Sequence, residues 1–279
     1  MLLLTPNFAR ALSIDDLKPQ VDESGLTAQS SIVLDQVSGQ VLYKNAEGNV
    51  HIPASLVKLL TVLVVLDTKP SMTKSCSIEQ VDEVGGVRIN AAPGTKFKLR
   101  DLLYATLIPS ANNAAHALAR CTGLDILSFV ARMNVKAQSF GAMASIFLEP
   151  TGISELNTTT AADLAKIANA AFSTKFVREI TRVQQYRLCS IAPSVKCQSI
   201  KNTNQLLTDK EVTTIAGKTG YLDEARFNFA GSFRDSRGKY FIIVILGSSN
   251  KESRFAEAKQ LLQFASNAAA WQDQFGGIK

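Results

Sequence analysis

The apolar positions of the chain change period twice. Ser31-Ile32-Val33-Leu34-Asp35 reads as a strand, Val37-Ser38-Gly39-Gln40 as a turn and Val41-Leu42-Tyr43 as a second strand, giving a hairpin. From Leu99 to Thr174 helical spacing takes over. Leu102, Leu103, Leu107 and Ile108 share one face, as do Ile126, Phe129, Val130 and Met133. Leu164, Ile167, Ala168 and Phe172 repeat the pattern behind a Thr-rich cap at Thr158 to Thr160. Strands return at Val212 to Ala216, Phe227 to Arg234 and Tyr240 to Leu246, and Glu252 to Phe264 closes with helical spacing through Phe255, Leu261 and Leu262. The order strands, helices, strands, helix predicts an α/β protein of the α+β type. Its antiparallel sheet, made by the N- and C-terminal strands, is flanked by helices, and an all-helical subdomain is inserted between them. Residues 12–29 form a polar lead-in, and Pro70 to Pro93 reads as irregular structure with short strands.

One predicted helix is not amphipathic. From Ile52 to Leu66 the residues are apolar nearly all round, which places the helix in a core. Pro53 suits its entrance, where a missing N–H is not needed. Two polar side chains, Ser55 and Lys58, stand at its front end at i, i+3 spacing, on one face. Burial disfavours a lysine cation, and a neutral lysine can take the proton of a serine hydroxyl. The Ser-x-x-Lys pattern recurs at Ser71/Lys74, Ser236/Lys239 and Ser248/Lys251, but in polar, turn-like sequence where solvated surface residues are the plain reading.

Composition narrows the class without naming a chemistry. The 279 residues, 46% hydrophobic and 19% charged, describe a globular chain with no internal repeat, and no apolar run reaches a membrane-spanning length. The net charge of +6 is scattered, without dense runs or aromatic interleaving, so nucleic-acid binding is not expected. Ala9-x-Ala11 after a mostly apolar start has the form of a signal-peptidase site and favours export. Cys189 and Cys197 flank a short polar loop containing Pro193 and are able to close a small ring, leaving Cys76 with Cys121; four buried thiols are the alternative. The cysteine spacings match no zinc pattern, and His51 and His116 add none, so no metal or cofactor is expected.

Two further segments carry candidate chemistry. Ser110-Ala111-Asn112 lies at a break between helical runs, where a hydroxyl and an amide can relay a proton and hold a substrate amide; an N-cap serine is the structural alternative. Lys218-Thr219-Gly220, on a late strand, supplies a cation, a hydroxyl donor and a residue that lets a ligand backbone come close; the alternative is an edge-strand lysine.

In this order, on a helix, in a helical break and on a strand, Ser-x-x-Lys, Ser-x-Asn and Lys-Thr-Gly are the motif set of penicillin-recognising serine enzymes. The chain resembles the D-alanyl-D-alanine carboxypeptidase family of low-molecular-mass penicillin-binding proteins from about Ser31 to Leu262. The likeness includes Asp101-Leu102-Leu103-Tyr104, Pro150-Thr151-Gly152 and Asn202-Thr203-Asn204-Gln205-Leu206-Leu207. The resemblance implies a β-lactamase/transpeptidase-like fold, with a catalytic domain at 30–268 between a lead-in at 1–29, read as the remnant of a secretory signal, and a tail at 269–279. It implies a secreted, monomeric serine D,D-peptidase without cofactor. Such an enzyme acts on peptidoglycan stem peptides outside the cytoplasm and is inhibited covalently by β-lactams. Ser55 is then the nucleophile and Lys58 its base, a lysine lowered from near 10.4 to roughly 7 at a cost of about 4 kcal/mol, by burial and by the Lys218 cation. Ser110 relays the proton, Asn112 holds the substrate amide, and the N–H groups of Ser55 and Tyr221 form the oxyanion hole. Lys218, Thr219 and Arg254 bind the terminal carboxylate beside Gly220.

Three positions depart from the family pattern: Leu222 replaces a threonine, Arg226 a glycine and Glu149 an asparagine. Arg226 is expected to reshape the pocket or add a carboxylate contact. The chain reads as the catalytic domain without membrane anchor. A class A-type β-lactamase is disfavoured because Ile153 stands where its deacylating glutamate is required. A D,D-endopeptidase on the same scaffold and a non-catalytic peptidoglycan or β-lactam sensor also fit the motif set.

Overall fold

The computed structural model describes residues 19–275, so the N-terminal signal-like stretch lies outside the described residues. The strands are β1 (Ser30–Asp35), β2 (Val41–Asn45), β7 (Thr213–Leu222), β8 (Arg226–Arg234) and β9 (Tyr240–Ser248), and they form one antiparallel sheet in the order β2-β1-β9-β8-β7. The N-terminal hairpin thus pairs with the last strand, as the pattern predicted. In β9, Ile242, Val244 and Leu246 enter one apolar cluster and Phe241, Ile243 and Ile245 another, because successive side chains point to opposite faces. A strand covered on both faces needs an unbroken apolar run, and Phe241 to Leu246 provides it.

The first cluster unites the sheet with α1 (Val57–Asp67) and with α2 (Leu99–Leu107), α3 (Asn112–Cys121), α4 (Ile126–Ser139), α5 (Ala161–Ser173) and α6 (Lys175–Thr181). The second is closed by α7 (Ser253–Phe275). This last helix runs eleven residues beyond Phe264, where the predicted helical segment ends. Ala265 and Ala269 continue the buried stripe, and alanine is the strongest helix former, so the contact persists with side chains too small to register as a hydrophobic period. Among the described residues no helix is long and apolar enough to cross a membrane.

Two small hairpins flank the helical side. β3 (Ser75–Ser77), in the segment read as irregular with short strands, pairs with β4 (Lys96–Lys98), just beyond it. β5 (Gln185–Cys189) pairs with β6 (Cys197–Lys201) where the sequence read only a polar loop. Of these ten residues just Leu188 and Ile200 are buried, too few for an alternation to be visible. Both disulfides are formed, Cys76–Cys121 and Cys189–Cys197, which removes the alternative of four thiols. The first ties the end of α3 to β3; the second joins residues directly opposite in the β5–β6 register.

Loop-closure entropy grows with the span a crosslink closes. A Cys76→Ala/Cys121→Ala variant, which opens a separation of 45 residues, should lose about 4 kcal/mol, and Cys189→Ala/Cys197→Ala, with a separation of 8, about 2.5 kcal/mol. Urea unfolding at pH 7.5 checks the ranking; equal losses would refute it.

Candidate active site

The site is assembled where the start of α1 meets the free edge of the sheet. Ser55 lies in a 3-10 turn (Ala54–Leu56) that leads straight into α1, with Ala54 at φ 49°. A left-handed alanine is strained, by about 1–2 kcal/mol, and persists only where its surroundings dictate it. Two glycines dictate it here. A Cβ on Gly152, itself at φ 78°, would lie 2.0 Å from the Ala54 carbonyl oxygen. One on Gly220 would lie 2.9 Å from Pro53 O and 3.3 Å from Ser55 N. Both strands of chain therefore press backbone to backbone against the turn that carries the nucleophile.

Lys58 is fully buried, and its Nζ has three neighbours: Ser55 Oγ at 2.9 Å, Asn112 Oδ1 at 2.6 Å and the Thr151 carbonyl at 2.5 Å. The Asn112 amide is oriented by its own Nδ2, which donates to Gly85 O at 2.9 Å, so Oδ1 faces the lysine. Burial pushes the Lys58 ammonium down to about 7, against the Glu149 carboxylate, which acts in the opposite sense. A neutral amine has two N–H groups and one lone pair. Asn112 Oδ1 and Thr151 O only accept, so they take both N–H groups and leave the lone pair directed at the Ser55 hydroxyl.

Ser110 sits at φ 70° in the tight turn between α2 and α3. It is not a helix cap: Ala111 holds the N-cap position, and Ser110 Oγ accepts from Lys218 Nζ at 2.7 Å. The segment before β4 is strapped to α3 next to it. Asn112 N donates to Val87 O, Asn113 bonds both backbone groups of Ile89, and Asp82 accepts from Arg120 and contacts His116.

Lys218, Thr219 and Gly220 lie on β7, the edge strand, which leaves one row of its backbone groups unpaired by the sheet. Lys218 is fully buried, and burial together with the Lys58 and Arg254 charges lowers it well below an ordinary lysine. Lys58 and Lys218 are two buried amines in one site: the Lys58 charge disfavours the Lys218 ammonium, and such a repulsion acts on both partners. Thr219 Oγ1 lies 2.6 Å from Thr203 Oγ1, so one hydroxyl donates to the other. Arg254 is 4% exposed and braces the backbone, Nη1 donating to Gly220 O at 3.2 Å and Asn228 O at 3.3 Å. Tyr221 projects outward with its ring against Phe227.

Arg226 occupies φ 55°, a backbone conformation that favours glycine. Its charge falls on His51, whose imidazolium it disfavours after burial has done so first. The three recurrent Ser-x-x-Lys pairs lie apart. Lys74 donates to Cys121 O, Lys239 pairs with Asp273, and Ser248, buried rather than solvated, donates to Glu257.

The matching family model, described as D-alanyl-D-alanine carboxypeptidase, peptidase S11, covers residues 18–250. The chain belongs to this family. It is a peptidase of the serine type. The chain is 30% identical to a D-alanyl-D-alanine endopeptidase of Haemophilus influenzae over 89% of this chain and 83% of that one. It is also 30% identical to a D-alanyl-D-alanine carboxypeptidase of Mycobacterium tuberculosis over 79% and 75%. The crystal structure of the Streptomyces K15 DD-transpeptidase superposes with a TM-score of 0.82 at 25% identity, covering 89% of this chain and 98% of that one. Family membership agrees with the sequence reading and with its antiparallel, helix-flanked fold.

The structure brings Ser55, Lys58, Ser110, Asn112, Lys218, Thr219 and Gly220 together, with Arg254 behind them. Sequence reasoning missed Thr203, which orients Thr219, and Asn228, whose Nδ2 donates to Ile52 O beside the nucleophile turn. It also missed the Thr151 carbonyl, because a backbone acceptor leaves no residue-type signal.

Gly152→Ala puts a methyl into the Ala54 carbonyl at a left-handed position. It should reduce reaction with a fluorescent penicillin by at least about 100-fold, the scale of a 1 Å displacement of the reacting groups. Wild-type labelling of a folded Gly152→Ala protein would show that the contact does not hold the nucleophile.

Proposed function

We propose that the protein removes the terminal D-alanine of peptidoglycan stem peptides through an acyl-enzyme on Ser55. The observation that carries this is the Lys58 amine, with its two N–H groups held by Asn112 and Thr151 and its lone pair on Ser55. Lys58 takes the Ser55 proton as Oγ attacks the carbonyl between the two D-alanines. The N–H groups of Ser55 and Tyr221 receive the oxyanion, and Ser110, hydrogen-bonded to Lys218, passes a proton to the leaving amine. D-alanine departs, and water then releases the acyl group with Lys58 again as base. Thr219 and the charge of the Lys218–Arg254 region receive the terminal carboxylate. A β-lactam enters the same way and remains on Ser55, since its leaving group stays attached. Two disulfides fit an oxidising compartment outside the cytoplasm, where this substrate lies.

A second reading, D,D-endopeptidase on crosslinked peptides, has its own support: the Haemophilus relative, matched over 83% of its length, is named an endopeptidase. Release of D-alanine from a pentapeptide against cleavage of a crosslinked dimer separates the two.

Incubation with benzylpenicillin followed by intact-mass measurement should give one penicilloyl group on the wild type and none on Ser55→Ala. Absence of the adduct with intact penicillin would sink the proposal; absence with rapid penicillin loss would favour a β-lactamase. The acylation rate should rise with pH through about 7, because the Lys58 ammonium that prevails below that value has no lone pair. A rate independent of pH between 5 and 9 would remove Lys58 from the role of base.

A further inference from the structure

Glu149 departs from the asparagine common in the resembled family, and it is the best-connected side chain of the loop facing Lys58. One carboxylate oxygen accepts from Thr151 N and Thr151 Oγ1, both at 2.6 Å. The other accepts from Gly152 N at 2.6 Å and Asn157 Nδ2 at 2.7 Å. Five donors, counting Ser154 N at 3.4 Å, converge on one carboxylate. The loop gathered in this way presents two carbonyls to α1: Pro150 O accepts from Thr61 Oγ1 at 2.6 Å and Thr151 O from Lys58 Nζ at 2.5 Å. It also sets Gly152 against Ala54, next to the nucleophile. The charge of Glu149 is thus one peptide unit behind the lysine's acceptor.

We infer that Glu149 is a positioning residue for Lys58, whose carboxylate fixes the Thr151 carbonyl on the amine and supplies the counter-charge that sets the pH at which this base becomes active. The inference rests on the reading of Lys58 as the general base. The other charges on elements around α1 are engaged elsewhere. Asp163 of α5 bonds Ala144, Ser145 and Lys166; His116 and Arg120 of α3 face Asp82; and Lys136 of α4 pairs with Asp67 at the far end of α1. On β7, Lys218 faces Ser110, with Arg254 beyond it, and both are basic groups. Glu149 is the carboxylate that favours the Lys58 ammonium against burial, so it keeps the amine basic enough to accept a serine proton. A neutral side chain at this position must lower the pKa of Lys58: the base is then free at lower pH and weaker once free.

The test is the pH profile of benzylpenicillin acylation, with thermal unfolding as a check on folding, in Glu149→Gln, Glu149→Asn and Glu149→Asp. Both neutral variants should move the acid limb down by about one pH unit, the size expected of one charge at this range in a partly screened interior, with a lower plateau. Glu149→Asp retains the charge and should lose rate while its limb stays in place. A limb unmoved in the neutral variants, or moved equally in Glu149→Asp, overturns the inference. Glu149→Asn, carrying the family residue, keeps the test open if Glu149→Gln does not fold. Lys58→Ala distinguishes the two readings. If it acylates like the wild type, the base assignment fails; if it is inactive while the Glu149 variants keep the wild-type limb, only the role of Glu149 falls.

Discussion

The burial of one amine organises the structure. An isolated lysine ammonium in an apolar interior is not tolerated, so the chain either neutralises it or surrounds it with oxygens. Here it does both. The cation is lowered to about 7, and the remaining N–H groups meet two acceptors contributed from far away in sequence, Asn112 and Thr151. These acceptors exist only if α3 and the loop before α5 are docked on α1. Folding of the helical part and the placing of these acceptors on Lys58 are therefore the same event. The apolar flanks of Lys58, Val57, Leu59 and Leu60, supply the low-dielectric surroundings that make the lysine basic in the useful range.

A second constraint follows from the edge of the sheet. β7 has a neighbour, β8, on one side only, and an exposed edge invites pairing with other chains. The same unpaired row of backbone groups is what an extended peptide needs in order to add itself as a further strand. The protein limits the hazard by setting the Ser55 turn against Gly220 and the Ser110 segment against Lys218.

How far this was legible from the sequence depended on whether the information lay in residue type. The unbroken run Phe241 to Leu246 announces a strand covered on both faces, and an all-apolar helix bearing Ser55 and Lys58 announces buried chemistry. Three motifs in fixed order located the rest of the site. The β5–β6 hairpin escaped because two buried residues in ten do not make a period. The end of α7 escaped because Ala265 and Ala269 pack without contributing much hydrophobic signal. Ser110 taken alone favoured a helix cap, since capping and proton relay ask for the same hydroxyl; the Lys218 contact and Ala111 at the N-cap position distinguish them. The Thr151 carbonyl and the pairing of Thr203 with Thr219 depend on backbone path and tertiary register, which no single sequence encodes as a pattern.

Strain marks the places where that register is held. Of the five non-glycine residues with positive φ among the described residues, Ala54 precedes Ser55, Ser110 accepts from Lys218 and Arg226 closes the hairpin after the Lys-Thr-Gly strand. Each costs about 1–3 kcal/mol and survives only because its neighbours over-determine it. At Ala54 the neighbours are the backbones at Gly152 and Gly220; at Ser110 they are the Lys218 ammonium group and the α2–α3 turn. In both cases the contact that maintains the strain comes from another element of the site. Loosening one member would relax the next, so the Ser55 turn, Ser110 and the Lys218–Gly220 strand are held as a unit.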